Sequence, residues 1–71
     1  MHRFLVVIEK TSRNYSAYAP DLPGCVATGK TAAQAEKVMH EAIQFHLEGL
    51  KADGLPIPKS SAIAEYMAVN A

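Results

Sequence analysis

The sequence predicts an α+β domain: a three-stranded antiparallel β-meander, then one long helix and a final strand (ββ-β-α-β), with the helix packed on one sheet face. Three observations predict it. Short runs rich in β-branched and aromatic residues, separated by polar or Pro/Gly breaks, fill the chain up to Gly29. From Ala32 to Ala52 the apolar residues fall at helical spacing. A last apolar segment follows two prolines.

Arg3 to Glu9 is a continuous apolar stretch closed by charge, the pattern of a strand covered on both faces. Lys10 to Asn14 is polar and turn-like. Tyr15 to Ala19 then forms the second strand of a hairpin, with Tyr15, Ala17 and Ala19 on one face and Ser16 and Tyr18 on the other. Pro20-Asp21-Leu22-Pro23-Gly24 interrupts pairing, because each proline lacks a backbone donor and Gly24 tolerates a positive φ. Cys25 to Thr28 is a short third strand that Gly29 ends.

Thr31 with Gln34 three residues later is a capping-box pattern, so the helix is expected over Ala32 to Ala52. Gly54 suits the position just past its C-terminus, and Lys51 suits the negative end of its dipole. Ala35, Val38, Met39, Ala42, Ile43, Phe45 and Leu50 form an apolar stripe, opposite Lys37, Glu41, Gln44, Glu48 and Lys51. Pro56 and Pro58 make an extended connector. Ala62 to Val69 is read as the last strand, with Ile63, Met67 and Val69 as its apolar members. One helix covers one sheet face, yet the first strand is apolar on both, with Phe4, Val6 and Ile8 against Leu5 and Val7. The uncovered face must meet another copy or a partner protein.

At 71 residues the chain is expected to be a single domain over residues 1–71. Domains of this size bury only about 60% of their unfolded surface and often lean on staples or oligomerisation. Cys25 is the lone cysteine, so no internal disulfide is available, which suits a reducing cytoplasm. Net charge is zero and the basic residues are scattered, which disfavours a phosphate-tracking face. The N-terminal apolar run, Phe4 to Ile8, is too short for a signal-peptide core or a membrane span.

Several motifs invite chemistry. Gly24-Cys25-Val26-Ala27-Thr28-Gly29-Lys30-Thr31 matches the P-loop spacing, in which amides cradle phosphates and the lysine and threonine serve phosphate and magnesium. That loop needs a buried strand before its first glycine. Here two prolines stand there and Val26 to Thr28 itself reads as a strand, so nucleotide binding is not expected. His46 is read as a core or interface histidine. His40 lies on another side of the helix, so the pair shares no metal, and His2 is terminal. Cys25 is read as a small buried hydrophobe, since no base or orienting group is evident. Asp21, Glu36 and Glu65 form no acidic cluster of the kind a metal-dependent nuclease needs. Asp21 is read as a turn residue bonding nearby backbone amides. Tyr15, Tyr18 and Tyr66 favour a protein interface. No catalytic, cofactor or metal site is expected.

A hairpin, then Asp21-Leu22-Pro23-Gly24-Cys25, then Gly29-Lys30-Thr31, then a helix ending His46-Leu47-Glu48-Gly49-Leu50, then Asp53-Gly54-Leu55-Pro56-Ile57-Pro58 resembles the HicB-like antitoxin core. The resemblance runs from about Phe4 to Val69. It implies a partial RNase-H-like fold and a non-enzymatic role as a cytoplasmic type II antitoxin. The partner it implies is a HicA-like toxin, a small messenger-RNA-degrading ribonuclease whose active surface the antitoxin masks. Many such antitoxins carry a C-terminal DNA-binding domain; residues 1–71 are expected to hold none, so direct DNA binding is not expected of them. The expected partner or oligomer interface comprises Leu5, Val7, Tyr18, Asp21, Leu22, Pro23 and Gly24. The rival reading is a solitary homo-oligomer, a dimer or tetramer, with an unknown ligand. A P-loop hydrolase or a degenerate nuclease is the enzymatic alternative.

Overall fold

The computed structural model describes residues 1–71. Its strands are β1 (Val7–Lys10), β2 (Tyr15–Tyr18) and β3 (Val26–Gly29), followed by helix α1 (Ala32–Ala52). The sheet has the order β1-β2-β3, antiparallel throughout, so β1 and β3 are both edges. The meander and the helix stand where the sequence places them, with the strand ends shifted by a few residues.

Strand register assigns each residue to a face. Ile8, Ala17 and Ala27 lie in one cross-strand row, and Lys10, Tyr15 and Gly29 in the next row on that face. This is the face the helix covers. Ala17 and Ala27 are buried there with Ala19, Leu22, Cys25, Ala35 and Met39, and Phe4, Val6, Ile8, Tyr15, Ala42, Ile43 and Leu47 pack around them. The small residues let helix and sheet approach closely. A Cβ built on Gly29 would lie 2.5 Å from the Ala35 backbone nitrogen, so this position requires glycine to keep the helix seated.

Both helix ends are closed by local chemistry. Thr31 Oγ1 accepts the Gln34 N–H at 3.0 Å. The Gln34 side chain reaches back one residue further than a capping box does, accepting the Lys30 N–H at 2.6 Å. At the other end Gly54 has φ +68°. The Gly54 N–H donates to the Lys51 carbonyl and the Leu55 N–H to the Leu50 carbonyl, the paired bonds of a Schellman motif.

The structure corrects two expectations. The helical stripe is narrower than the sequence suggests: Val38 and Phe45 are exposed, and Leu47 packs on the core instead. At 100° per residue, Val38 stands about 100° and Phe45 about 120° around the helix from buried Met39, beyond the arc a three-stranded sheet covers. The final strand is absent. Ala62 to Val69 pairs with nothing; Ile63, Tyr66, Met67 and Val69 are all exposed, and residues 56–71 form an arm outside every element.

Candidate partner-binding surface

The sheet face opposite the helix carries a row made of Val7, Tyr18 and Val26, paired across all three strands. Tyr18 is 40% and Val26 66% exposed. Leu5 lies two residues before Val7, on the same face by alternation, and both are half-buried. Glu9, Ser16 and Thr28 form the next row. The open face therefore changes from apolar at one end to polar at the other.

The apolar end adjoins the β2–β3 connection, which is two consecutive turns sharing Leu22. The Leu22 N–H donates to the Ala19 carbonyl at 3.0 Å across Pro20-Asp21, and the Cys25 N–H to the Leu22 carbonyl at 3.1 Å across Pro23-Gly24. Proline at the second position suits both turns, and Gly24, at φ +80°, supplies the left-handed third position of a type II turn. Leu22 is 1% exposed and plugs this double turn into the core. Its side chain is thus structural, which removes it from the expected contact residues. Pro20, Pro23 and Gly24 remain exposed beside the apolar row.

Asp21 has a role that the sequence reading misses. Its carboxylate accepts from the Ser61 N–H at 3.0 Å, the Ala62 N–H at 3.1 Å and the Ser61 hydroxyl at 3.1 Å. The amides it holds are forty residues away, not in its own turn, because the turn leaves the side chain free and the returning chain offers two adjacent donors. These bonds, led by that from Ala62, hold the Asp21 carboxyl below its ordinary range. They tie the root of the arm to the corner of the sheet where the apolar row ends.

The residues singled out for chemistry are scattered. Val26 to Gly29, the centre of the P-loop-like spacing, is a strand paired with β2 rather than a phosphate cradle. Cys25 is buried, and desolvation pushes its thiol up, away from the reactive thiolate. His40 lines a groove between β1 and α1, whereas half-buried His46 lines one between β3 and α1. No group of three or more metal-ligating side chains forms. Tyr15 packs against the core, so only Tyr18 and Tyr66 are exposed. Val26 is the open-face residue that sequence reasoning overlooked; its alternation with buried Ala27 was the available signal. No helix is long and apolar enough to cross a membrane.

Known proteins resemble this chain in sequence and, for one solved structure, in overall fold. Residues 4–71 match the family described as "HicB_like antitoxin of bacterial toxin-antitoxin system". A UPF0150 protein of Helicobacter pylori is 43% identical over 60 residues, covering 82% of this chain and 83% of that protein. An uncharacterised protein of Haemophilus phage HP1 is 40% identical over 62 residues, 87% of this chain; the chain spans about half the length of that relative, 47%. Among solved structures, a chain of "HicA3 and HicB3 toxin-antitoxin complex" superposes with a TM-score of 0.66 at 32% identity, covering 83% of this chain and 72% of that one. With its α+β meander-and-helix fold and these matches, the chain belongs to the HicB-like antitoxin family of bacterial toxin-antitoxin systems.

Proposed function

We propose that this chain is a cytoplasmic antitoxin that binds a HicA-type ribonuclease toxin and blocks its active surface by steric masking, without turnover. One observation carries the reading: the open sheet face presents the apolar row Val7, Tyr18 and Val26 beside the exposed Pro23-Gly24 turn, with no element of the chain over it. A contiguous apolar strip flanked by polar residues is the surface expected of a protein interface, and an exposed tyrosine is a frequent anchor there. The solved relative described as a toxin-antitoxin complex supports the partner class. The contact residues on this reading are Leu5, Val7, Tyr18, Val26, Pro23 and Gly24. Asp21 acts through the arm, and Leu22 supports the turn from beneath.

Co-expression with a HicA-type toxin tests it. The wild-type chain is expected to co-purify with the toxin and restore growth. Tyr18→Asp and Val26→Asp each place a charge on the row while leaving the core intact. They are expected to weaken binding by about 30-fold or more, the loss at a truncated anchor of about 2 kcal/mol. Binding unchanged in both variants moves the toxin site off this face, and failure of the wild-type chain to bind or rescue rejects the toxin reading.

A further inference from the structure

We infer that the partner surface does not end at the β3 edge. It turns the corner onto the flank of α1, where the groove between β3 and α1 takes an apolar side chain from a cationic protein segment. On the toxin reading, on which this rests, that segment belongs to the ribonuclease's own RNA-binding surface.

The helix carries more apolar surface than its core uses. Val38, Ala42, Phe45 and Gly49 recur at i, i+4, i+7 and i+11, so they stand within about 60° of one another around the helix. Val38 is 38% and Phe45 78% exposed. Beside this second stripe lies a groove, with Phe45, Gly49 and Leu50 on its helix side and Gly24 and Val26 on its sheet side. Val26 belongs equally to the open-face row, and Gly24 to the turn beside it. β3 is an edge strand, so no strand separates the two surfaces. They form one apolar surface folded round an edge.

Gly49 is an independent sign that something approaches this groove closely. Glycine weakens a helix interior, because it has the most backbone freedom to lose. Its φ is not positive, unlike those of Gly24 and Gly54, so the backbone conformation does not require it. A Cβ built on it would meet no neighbouring group within 4 Å, in contrast to Gly29, where the Ala35 backbone stands at 2.5 Å. Packing within the chain does not require it either. What a missing side chain provides at this position is room for an outside group beside Phe45.

Charge selects the occupant. On the helix surface the neighbours of Phe45 three and four residues away are Glu41, Ala42, Glu48 and Gly49. Glu41 and Glu48 lie within about 60° of Phe45, whereas Lys37 and Lys51 lie about 80° and 120° away. Asp53 lines the groove, and Lys30 stands beyond Gly29, at the opposite end of β3 from Val26. An apolar anchor point between carboxylates suits a cationic partner. A second copy would bring the same Glu41 and Glu48 face to face across a two-fold axis, which repels. A ribonuclease, by contrast, holds RNA through positive charge, and these carboxylates would take the place of the phosphates.

The test is titration of the purified full chain with a HicA-type toxin, alongside Tyr18→Asp. Phe45→Lys keeps a good helix former at an exposed position and pairs with Glu41 and Glu48. It is expected to weaken binding by about 30-fold or more, with helical circular dichroism unchanged. Gly49→Ala is expected to raise the unfolding midpoint of the free chain and yet weaken toxin binding by about tenfold, opposite signs that a purely structural glycine would not give. Glu41→Gln with Glu48→Gln is expected to slow association about tenfold at low salt and to flatten its salt dependence. If Tyr18→Asp weakens binding while Phe45→Lys and Gly49→Ala leave it intact, the toxin reading stands and this inference falls. A wild-type chain that binds no toxin overturns both. Phe45→Lys that lowers the native mass of the chain and leaves toxin binding unchanged assigns the flank to a second copy, and also overturns it.

Discussion

Two regions of this molecule have similar composition and opposite fates. Nine of the sixteen residues from Pro56 to Ala71 are apolar, at least the proportion of the chain as a whole, 49%. Yet every buried residue lies between Ala17 and Met39. The body, from Phe4 to Leu55, has a second layer to pack against, because the meander and the helix present apolar faces to one another. The arm has none, because the single helix is already occupied by the sheet. Apolar composition supplies the tendency to be buried; topology decides whether a surface is there to receive it.

The sharpest way to break this comparison is to truncate one buried and one exposed side chain. Leu22→Ala removes the plug of the double turn and is expected to lower stability by about 2–5 kcal/mol. Ile63→Ala is expected to change unfolding by no more than about 0.5 kcal/mol at concentrations where the chain is monomeric. Urea denaturation measures both, and equal losses would show that the arm packs as core does. A smaller effect is expected at the layer junction. Gly29→Ala drives a methyl into the Ala35 backbone, and the same experiment should show a loss of about 1–3 kcal/mol as helix and sheet are forced apart. A neutral result would mean the two layers adjust freely.

The smallest effect is expected at the tether between body and arm. The Asp21 carboxyl is held below its ordinary range in the folded chain, first by the Ala62 N–H. Its contribution is therefore fully present above the ordinary carboxylate value and is lost as pH falls through the lowered folded value. Acidification into that window should release the Ser61 and Ala62 amides, read as a change in their NMR shifts and hydrogen exchange, while β2 and α1 stay intact. Asp21→Asn should produce the same released spectrum at neutral pH. Amides that stay protected in the variant would show that the arm root is held by something else.

Much of the body is legible in one dimension. Thr31, Gln34 and Gly54 bound the helix because capping is local hydrogen bonding within a few residues, and the alternation of Tyr15 to Ala19 places Ala17 inward for the same reason. The membership of residues 4–71 in the antitoxin family was legible too, through the order of the Asp21-Leu22-Pro23-Gly24-Cys25 and Gly54-Leu55-Pro56 elements. The candidate surface was only half legible. Leu5, Val7 and Tyr18 are identified by alternation, but Leu22 reads as a loop residue until the double turn folds it inward, and Asp21 reads as a local turn former.

By itself, then, the sequence determined the meander, the helix and its caps, and an apolar surplus on the first strand, since each follows from contacts between residues near one another in the chain. Only the tertiary structure decided that Asp21 ties down Ser61 and Ala62, that Val26 joins Val7 and Tyr18 in one row, and that Ala62 to Val69 has no strand to pair with. Those outcomes depend on which distant segments meet and on how much of the sheet one helix can cover. Neither quantity is encoded in local spacing.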